Sequence, residues 1–126
     1  MKRFREFSHS CRHAVRGLVY ALKFEKNFQN EVAIGLLVVF CMFYFHVTRA
    51  EMVVLFIVIM EVLVFELLNT IMERIVDILK PRVHPYAKLI KDLMAGTVLL
   101  SSILALIIGL IIFLPYVVPK IQALMG

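Results

Sequence analysis

The sequence lacks several groups on which metal sites and nucleotide-binding enzymes commonly depend. Of its 126 residues only two are cysteine. Cys11 and Cys41 lie on different predicted segments without metal-ligand spacing, so we interpret both as small apolar residues and expect no disulfide. No pair of His and Cys has the spacing of a zinc site. Neither a Walker A motif nor GxGxxG occurs, which excludes the P-loop and protein-kinase architectures.

Charge is also scarce. Charged residues make up 18% of the chain and hydrophobic residues 62%, more than a soluble core of this size needs. Residues 1–126 are therefore predicted to form one integral membrane domain. The net charge of +5 does not indicate a nucleic-acid partner, because the basic residues flank apolar segments as juxtamembrane charges do. The polar first thirty residues show no secretory signal peptide.

Residues 4–24 are predicted to form an amphipathic helix. Apolar side chains recur at i, i+3/i+4 spacing, and basic residues line the opposite side. This pattern is typical of a helix lying in the membrane interface, and packing on the ends of other helices is compatible with it.

Three apolar runs are predicted to cross the membrane, at residues 32–48, 52–72 and 93–114. Thr48 and Glu51 have the spacing of a capping box, which predicts the start of the second spanning helix. The short turn before it makes the first two helices antiparallel neighbours.

Prolines mark the predicted ends of the later helices. Residues 79–86 contain two prolines, which are unfavourable inside a helix, so this stretch is predicted to end the second span. Pro115 and Pro119 are predicted to mark the far end of the third. That span carries a small residue every fourth position, a face where another helix can approach closely: Thr97, Ser101, Ala105 and Gly109.

The basic residues predict the orientation. Of the fourteen, seven precede residue 31 and five lie between residues 74 and 91, and the others are Arg49 and Lys120. By the positive-inside rule, the N-terminal helix and the 74–91 segment are cytoplasmic and the C-terminus is outside.

One stripe of polar residues runs out of the second span. On a helix, Glu66, Glu73 and Asp77 fall within roughly 40° of one another, flanked by Asn69 and Thr70. Carboxylates near a bilayer are unfavourable unless they are paired, bound to metal or facing a polar cavity. A polar seam between helices would explain a single Glu, but four polar groups in register indicate a functional site.

Further acids approach the same face from other segments: Glu25, Glu31 and Asp92, with Lys91 and His84 nearby. Carboxylates with few neutral ligands suit a hard cation, particularly Mg²⁺, which often accompanies phosphates. A deeper Glu could act as general base toward a lipid hydroxyl. Together these are the components of phosphoryl transfer to a membrane-dissolved alcohol. A proton-coupled transporter and a purely structural membrane subunit are the alternatives.

The ordered residues resemble a known family. They run Glu25…Asn27-Phe28…Glu31, then Glu66-Leu-Leu-Asn69-Thr70-Ile-Met-Glu73-Arg74-Ile-Val-Asp77, then Lys91-Asp92. This order resembles the prokaryotic diacylglycerol kinase family over nearly the whole chain. The segments His84-Pro85-Tyr86-Ala87-Lys88 and Gly109–Pro115 are similar to its Gram-positive branch, mainly undecaprenol kinases. The resemblance implies a homotrimer in the bacterial cytoplasmic membrane that uses ATP and Mg²⁺ to phosphorylate a lipid alcohol, with undecaprenol favoured and diacylglycerol the alternative.

The resemblance also implies roles for individual residues. Glu66 matches the general base, and Asn69 matches an amide that orients the site. Glu25 and Glu73 match the metal-binding glutamates. The positions on the nucleotide side are Lys91, Asp92 and His84, with Asp77 added as a further candidate, and Glu31 matches a supporting acid. The chain departs from the family pattern at Gln29, Glu61 and Met72, among others, which bears on lipid preference and nucleotide contacts.

Overall fold

The protein is helical throughout the part that the structure describes. A computed structural model describes residues 2–126, without the side chains of residues 2, 4, 80, 81, 83 and 84. The helices are α1 (Lys2–Phe24), α2 (Lys26–Phe45) and α3 (Arg49–Met125). Because these residues contain no strand, the predicted all-α class is confirmed. The predicted 4–24 helix corresponds to α1, and its place at a membrane surface stays a prediction.

A single residue separates α1 from α2. Glu25 has an extended backbone, with φ −105° and ψ 103°, and the Gln29 side chain donates a hydrogen bond of 2.9 Å to the carbonyl oxygen of Leu22 in the last turn of α1. The last turn of a helix leaves carbonyls without helical partners, and Gln29 satisfies one of them. The helix begins at Lys26, six residues before the predicted first span at residue 32, and the bounds of that span stay a prediction.

The turn from α2 to α3 contains the predicted capping box, which is confirmed. The Glu51 amide donates to Thr48 Oγ1 at 3.3 Å, and the Thr48 amide donates to Glu51 Oε2 at 2.8 Å. His46 has a left-handed backbone, with φ 52°. The next residue, Val47, donates its amide to the Met42 carbonyl at 3.2 Å. These contacts end α2 and start α3 within a few residues.

The first half of α3, up to residue 77, packs antiparallel to its second half, which starts at residue 91. Asp77 and Lys91 form an ion pair of 2.6 Å, although fourteen residues of straight helix would separate them by about 21 Å. Glu51 and Tyr116 hydrogen-bond at 2.7 Å near the other end. The chain therefore reverses direction between residues 77 and 91.

Residues 79–86 were predicted to end the second helix. Their backbone is helical, within the continuous helical conformation of Arg49–Met125, but this proline-containing stretch coincides with the chain reversal. The end of the second span stays a prediction. Pro115 and Pro119 also lie inside this helix rather than beyond its end. A proline removes one helical hydrogen bond, and helices in apolar surroundings tolerate this when local adjustments satisfy the freed carbonyl.

Two helical segments are long and apolar enough to cross a membrane, Lys26–Phe45 and Pro85–Met125. Large apolar side chains on both are exposed in the single chain, such as Phe40 at 66% and Leu100 at 70%. The first half of α3 contains the second predicted span, residues 52–72, and its crossing stays a prediction. A cluster of buried residues joins the helices near the α2–α3 turn: Met42, Val47, Leu55 and Ile112.

Candidate active site

Glu66 is the buried carboxylate at the centre of the site. Glu66 lies in the first half of α3 and is only 3% exposed. The Asn27 side chain, from the first turn of α2, hydrogen-bonds to it, and three other acids lie close enough to interact with its charge: Glu31, Glu73 and Glu25. The antiparallel packing of α2 against α3 thus gathers four acids that are far apart in the sequence.

Asn69 lies one turn beyond Glu66 and is 6% exposed. Its Nδ2 donates to Glu73 Oε1 at 3.3 Å, as the i, i+4 spacing allows. Its buried Oδ1 accepts no hydrogen bond from the residues that the structure describes. A buried acceptor without a donor costs about 1–3 kcal/mol, so this oxygen is suited to a polar group brought by a bound molecule.

Glu25 is held by an arginine that lies 49 residues away in the sequence. Arg74 Nη2 donates to Glu25 Oε1 at 2.7 Å, joining the α1–α2 junction to α3. Glu25 is the better shielded partner, since its side chain is 20% exposed against 62% for Arg74. The hydrogen bond and the charge of Glu25 both raise the pKa of Arg74.

Asp77 and Lys91 meet where the two halves of α3 approach each other. Lys91 Nζ donates to Asp77 Oδ1 at 2.6 Å, and both side chains remain substantially exposed. The chain reversal brings Lys91 from the next segment close enough to pair with Asp77.

The structure shows fewer contacts for the other predicted site residues. Asp92 is exposed and makes no hydrogen bond or ion pair to any side chain that the structure describes. Glu31 is half-buried and lines an apolar cleft between α2 and both halves of α3, with a volume of about 410 Å³. The side chain of His84 lies outside the described residues, so its predicted nucleotide contact stays a prediction.

The donor set fits a hard divalent cation, although the described residues contain no group of three His, Cys, Asp or Glu arranged as metal ligands. Magnesium is commonly held by one or two carboxylates, with waters and substrate phosphates completing its shell. Glu25 and Glu73 are carboxylates near Glu66, and the ion pair to Arg74 engages Oε1 of Glu25, leaving Oε2 for a cation.

An apolar groove lies next to the Glu25–Arg74 pair. Its walls come from the second half of α1 and from residues 67–78 of α3, its volume is about 620 Å³, and Glu25 and Arg74 contribute to its lining. We call it the interfacial groove. It places apolar surface beside charged groups, as a site for a lipid with a polar end requires.

Comparison with known proteins identifies the family. The family model for prokaryotic diacylglycerol kinase matches residues 12–113. The chain belongs to the prokaryotic diacylglycerol kinase family. It is therefore a lipid kinase, a phosphotransferase that acts on an alcohol, and kinase activity implies ATP as co-substrate. No solved structure matches the chain.

The chain is similar to two curated relatives. The chain is 38% identical over 109 residues to an undecaprenol kinase of Bacillus subtilis, an alignment covering 86% of this chain and 89% of the relative. It is 36% identical over 107 residues to a diacylglycerol kinase of Synechocystis, covering 84% of this chain and 61% of the relative.

Sequence reasoning missed the roles of Arg74 and Asn27. Arg74 follows Glu73 directly in the family motif and was assigned no role from the sequence. Asn27 was noted as part of the family motif without a contact. A basic residue and an amide placed among acids were the available signals, but their partners lie on another helix.

Proposed function

We propose that the protein transfers the γ-phosphate of ATP to the hydroxyl group of undecaprenol. The observation that carries this proposal is the buried Glu66, surrounded by Asn27, Asn69 and three acids at one end of the helices. The relative with the broader alignment, the Bacillus subtilis protein, is an undecaprenol kinase. Diacylglycerol remains the second candidate substrate, because the Synechocystis relative is a diacylglycerol kinase.

Glu66 is assigned the role of general base. A carboxylate in hydrogen-bond reach of the lipid hydroxyl can accept its proton as the oxygen attacks the γ-phosphorus. The bond from that phosphorus to the β,γ-bridging oxygen breaks, and ADP leaves. Asn69 orients the site, since its Nδ2 holds Glu73 and its Oδ1 offers an acceptor to a bound substrate. Glu31 lies close enough to interact with the charge of Glu66 and would support the site.

Phosphoryl transfer places negative charge among residues that are already acidic, so positive charge is required. Glu25 and Glu73 would hold Mg²⁺, which when bound supplies charge neutralisation at the phosphates. Arg74 pairs with Glu25 and Lys91 pairs with Asp77, and these two cationic side chains would stabilise the developing charge. We assign nucleotide binding to four further residues: Lys91, Asp77, Asp92 and His84.

The interfacial groove is suited to the apolar part of the substrate. Its lining is almost wholly apolar, while the Glu25–Arg74 pair lies at its polar end. A prenyl chain lying there would place its hydroxyl end toward the acids. We further propose that the chain works as a homotrimer spanning the bacterial cytoplasmic membrane three times, with its N-terminus and site on the cytoplasmic side.

The test is phosphate transfer from MgATP by purified protein in mixed micelles, with undecaprenol and diacylglycerol compared. We expect preferential labelling of undecaprenol, lost in Glu66→Gln. The matched control is Glu61→Gln, the same chemical change on the same helix. Glu61 is half-buried and hydrogen-bonds to no side chain that the structure describes, so this variant should retain activity.

The outcomes separate the candidates. Preferential labelling of diacylglycerol would keep the mechanism and replace the substrate. Equal activity of Glu66→Gln and the wild type would remove Glu66 from the chemistry. Loss of activity in Glu61→Gln but not in Glu66→Gln would place the proton transfer elsewhere in the membrane.

A further inference from the structure

Two histidines face each other on the exposed surface of α1. His9 and His13 are one helical turn apart, and their Nε2 atoms are 3.4 Å from each other. The ring centroids are 4.4 Å apart, with an angle of 69° between the ring planes. Both residues are exposed, and neither belongs to the acidic site described above.

The distance between the two nitrogens matches that of a chelating pair. Zinc binds imidazole nitrogen at about 2.0–2.1 Å, and two such nitrogens on a tetrahedral ion lie about 3.4 Å apart. Histidines at i and i+4 on one helix face are a known zinc-binding arrangement. The contact of 3.4 Å is long for a hydrogen bond, and both rings are exposed and can turn toward a shared partner. A small rotation of the rings, which widens the 4.4 Å between their centroids, would direct both nitrogen lone pairs at one ion.

The surroundings restrict which ion can bind. Arg5 precedes His9 by one turn and Arg16 follows His13 by nearly one turn, while Glu6 lies three residues before His9. The two arginines outnumber the one carboxylate, so electrostatics alone does not hold a cation here. Imidazole suits zinc, copper and nickel, whereas magnesium prefers oxygen ligands. No third His, Cys, Asp or Glu among the described side chains joins the pair. Water or another donor would complete the coordination.

We propose that His9 and His13 form a binding site for a divalent transition-metal ion of the zinc type, separate from the magnesium site of the kinase reaction. The ion bridges successive turns of α1 and stabilises its first half. Each imidazole would bind the ion through a neutral ring nitrogen.

The experiment is Zn²⁺ titration of the purified full-length protein in detergent micelles, by calorimetry after removal of metals with a chelator and without ATP or Mg²⁺. We expect one Zn²⁺ per chain. Loss of an outer-shell partner weakens metal sites by about 10–100-fold, so loss of a ligand should weaken binding by at least about tenfold. His9→Ala and His13→Ala should each show this, and alanine keeps the helix favourable.

His46→Asn is the matched control, because it removes a histidine remote from α1 and asparagine tolerates a left-handed backbone. It should bind Zn²⁺ as the wild type does. Kinase turnover of the His9 and His13 variants should be unchanged. Unaltered Zn²⁺ binding by the double variant, or no saturable binding by the wild type, would overturn the proposal.

Discussion

Replacing Gly35 by alanine tests how closely α2 and α3 pack beside the site. A Cβ atom at residue 35 would lie 3.0 Å from Cγ2 of Ile59, well inside van der Waals contact. Ile59 is β-branched and stiff at χ1 within a helix, so its methyl group cannot swing away freely. Overpacking of this kind costs about 1–3 kcal/mol. Against this, replacing glycine by alanine inside a helix gains about 0.5–1 kcal/mol.

The prediction is therefore a net loss of stability of about 1 kcal/mol for Gly35→Ala. Gly96→Ala is the matched control, because a Cβ at residue 96 would meet no atom within 4 Å. It should gain about 0.5–1 kcal/mol. The assay is reversible unfolding of both variants in mixed micelles, followed by far-UV circular dichroism. Equal stabilisation by both substitutions would refute the packing argument.

Three further results are expected. Arg74→Gln should change stability by no more than about 1 kcal/mol, because the Arg74 side chain is 62% exposed and water screens its charge. It should lower turnover by on the order of tenfold by leaving Glu25 uncompensated. Unfolding and kinase assays on the same samples, with Arg74→Lys as control, check both. Lys91→Gln should raise the KM for ATP with folding intact, and an unchanged KM would remove this residue from the nucleotide side. Tyr116→Phe should destabilise the protein at neutral pH but not in acid, and unfolding measured across the pH range tests this.

The sign of the last prediction follows from Glu51. The hydrogen bond from Tyr116, with those from Thr48, lowers the pKa of Glu51 below its ordinary value of 4.5. Because the pKa of Glu51 is depressed in the folded protein, the interaction contributes stability above pH 4.5. This contribution is lost as the pH falls through the folded-state pKa of Glu51. The difference between wild type and Tyr116→Phe should therefore shrink on acidification below that range. A constant difference would contradict this assignment.

Local spacing predicted the parts of the site that lie on one helix. Glu66, Asn69 and Glu73 share a face because of helical periodicity, and the structure places Asn69 Nδ2 against Glu73 as i, i+4 neighbours. The Thr48–Glu51 capping box is likewise a contact across three residues. Pro115 and Pro119 lie inside α3 rather than at its end, because a single missing hydrogen bond does not end a long apolar helix.

The sequence by itself determined the helical, membrane-type character of the protein, its acidic stripe and its family. These depend on composition, periodicity and motif order, which can be determined without knowing which distant residues come into contact. Only the tertiary structure decided that Glu25 pairs with Arg74 and Asp77 with Lys91. Helix periodicity constrains neighbours within a turn or two, whereas contacts over longer separations depend on where the chain reverses and which helix faces then meet.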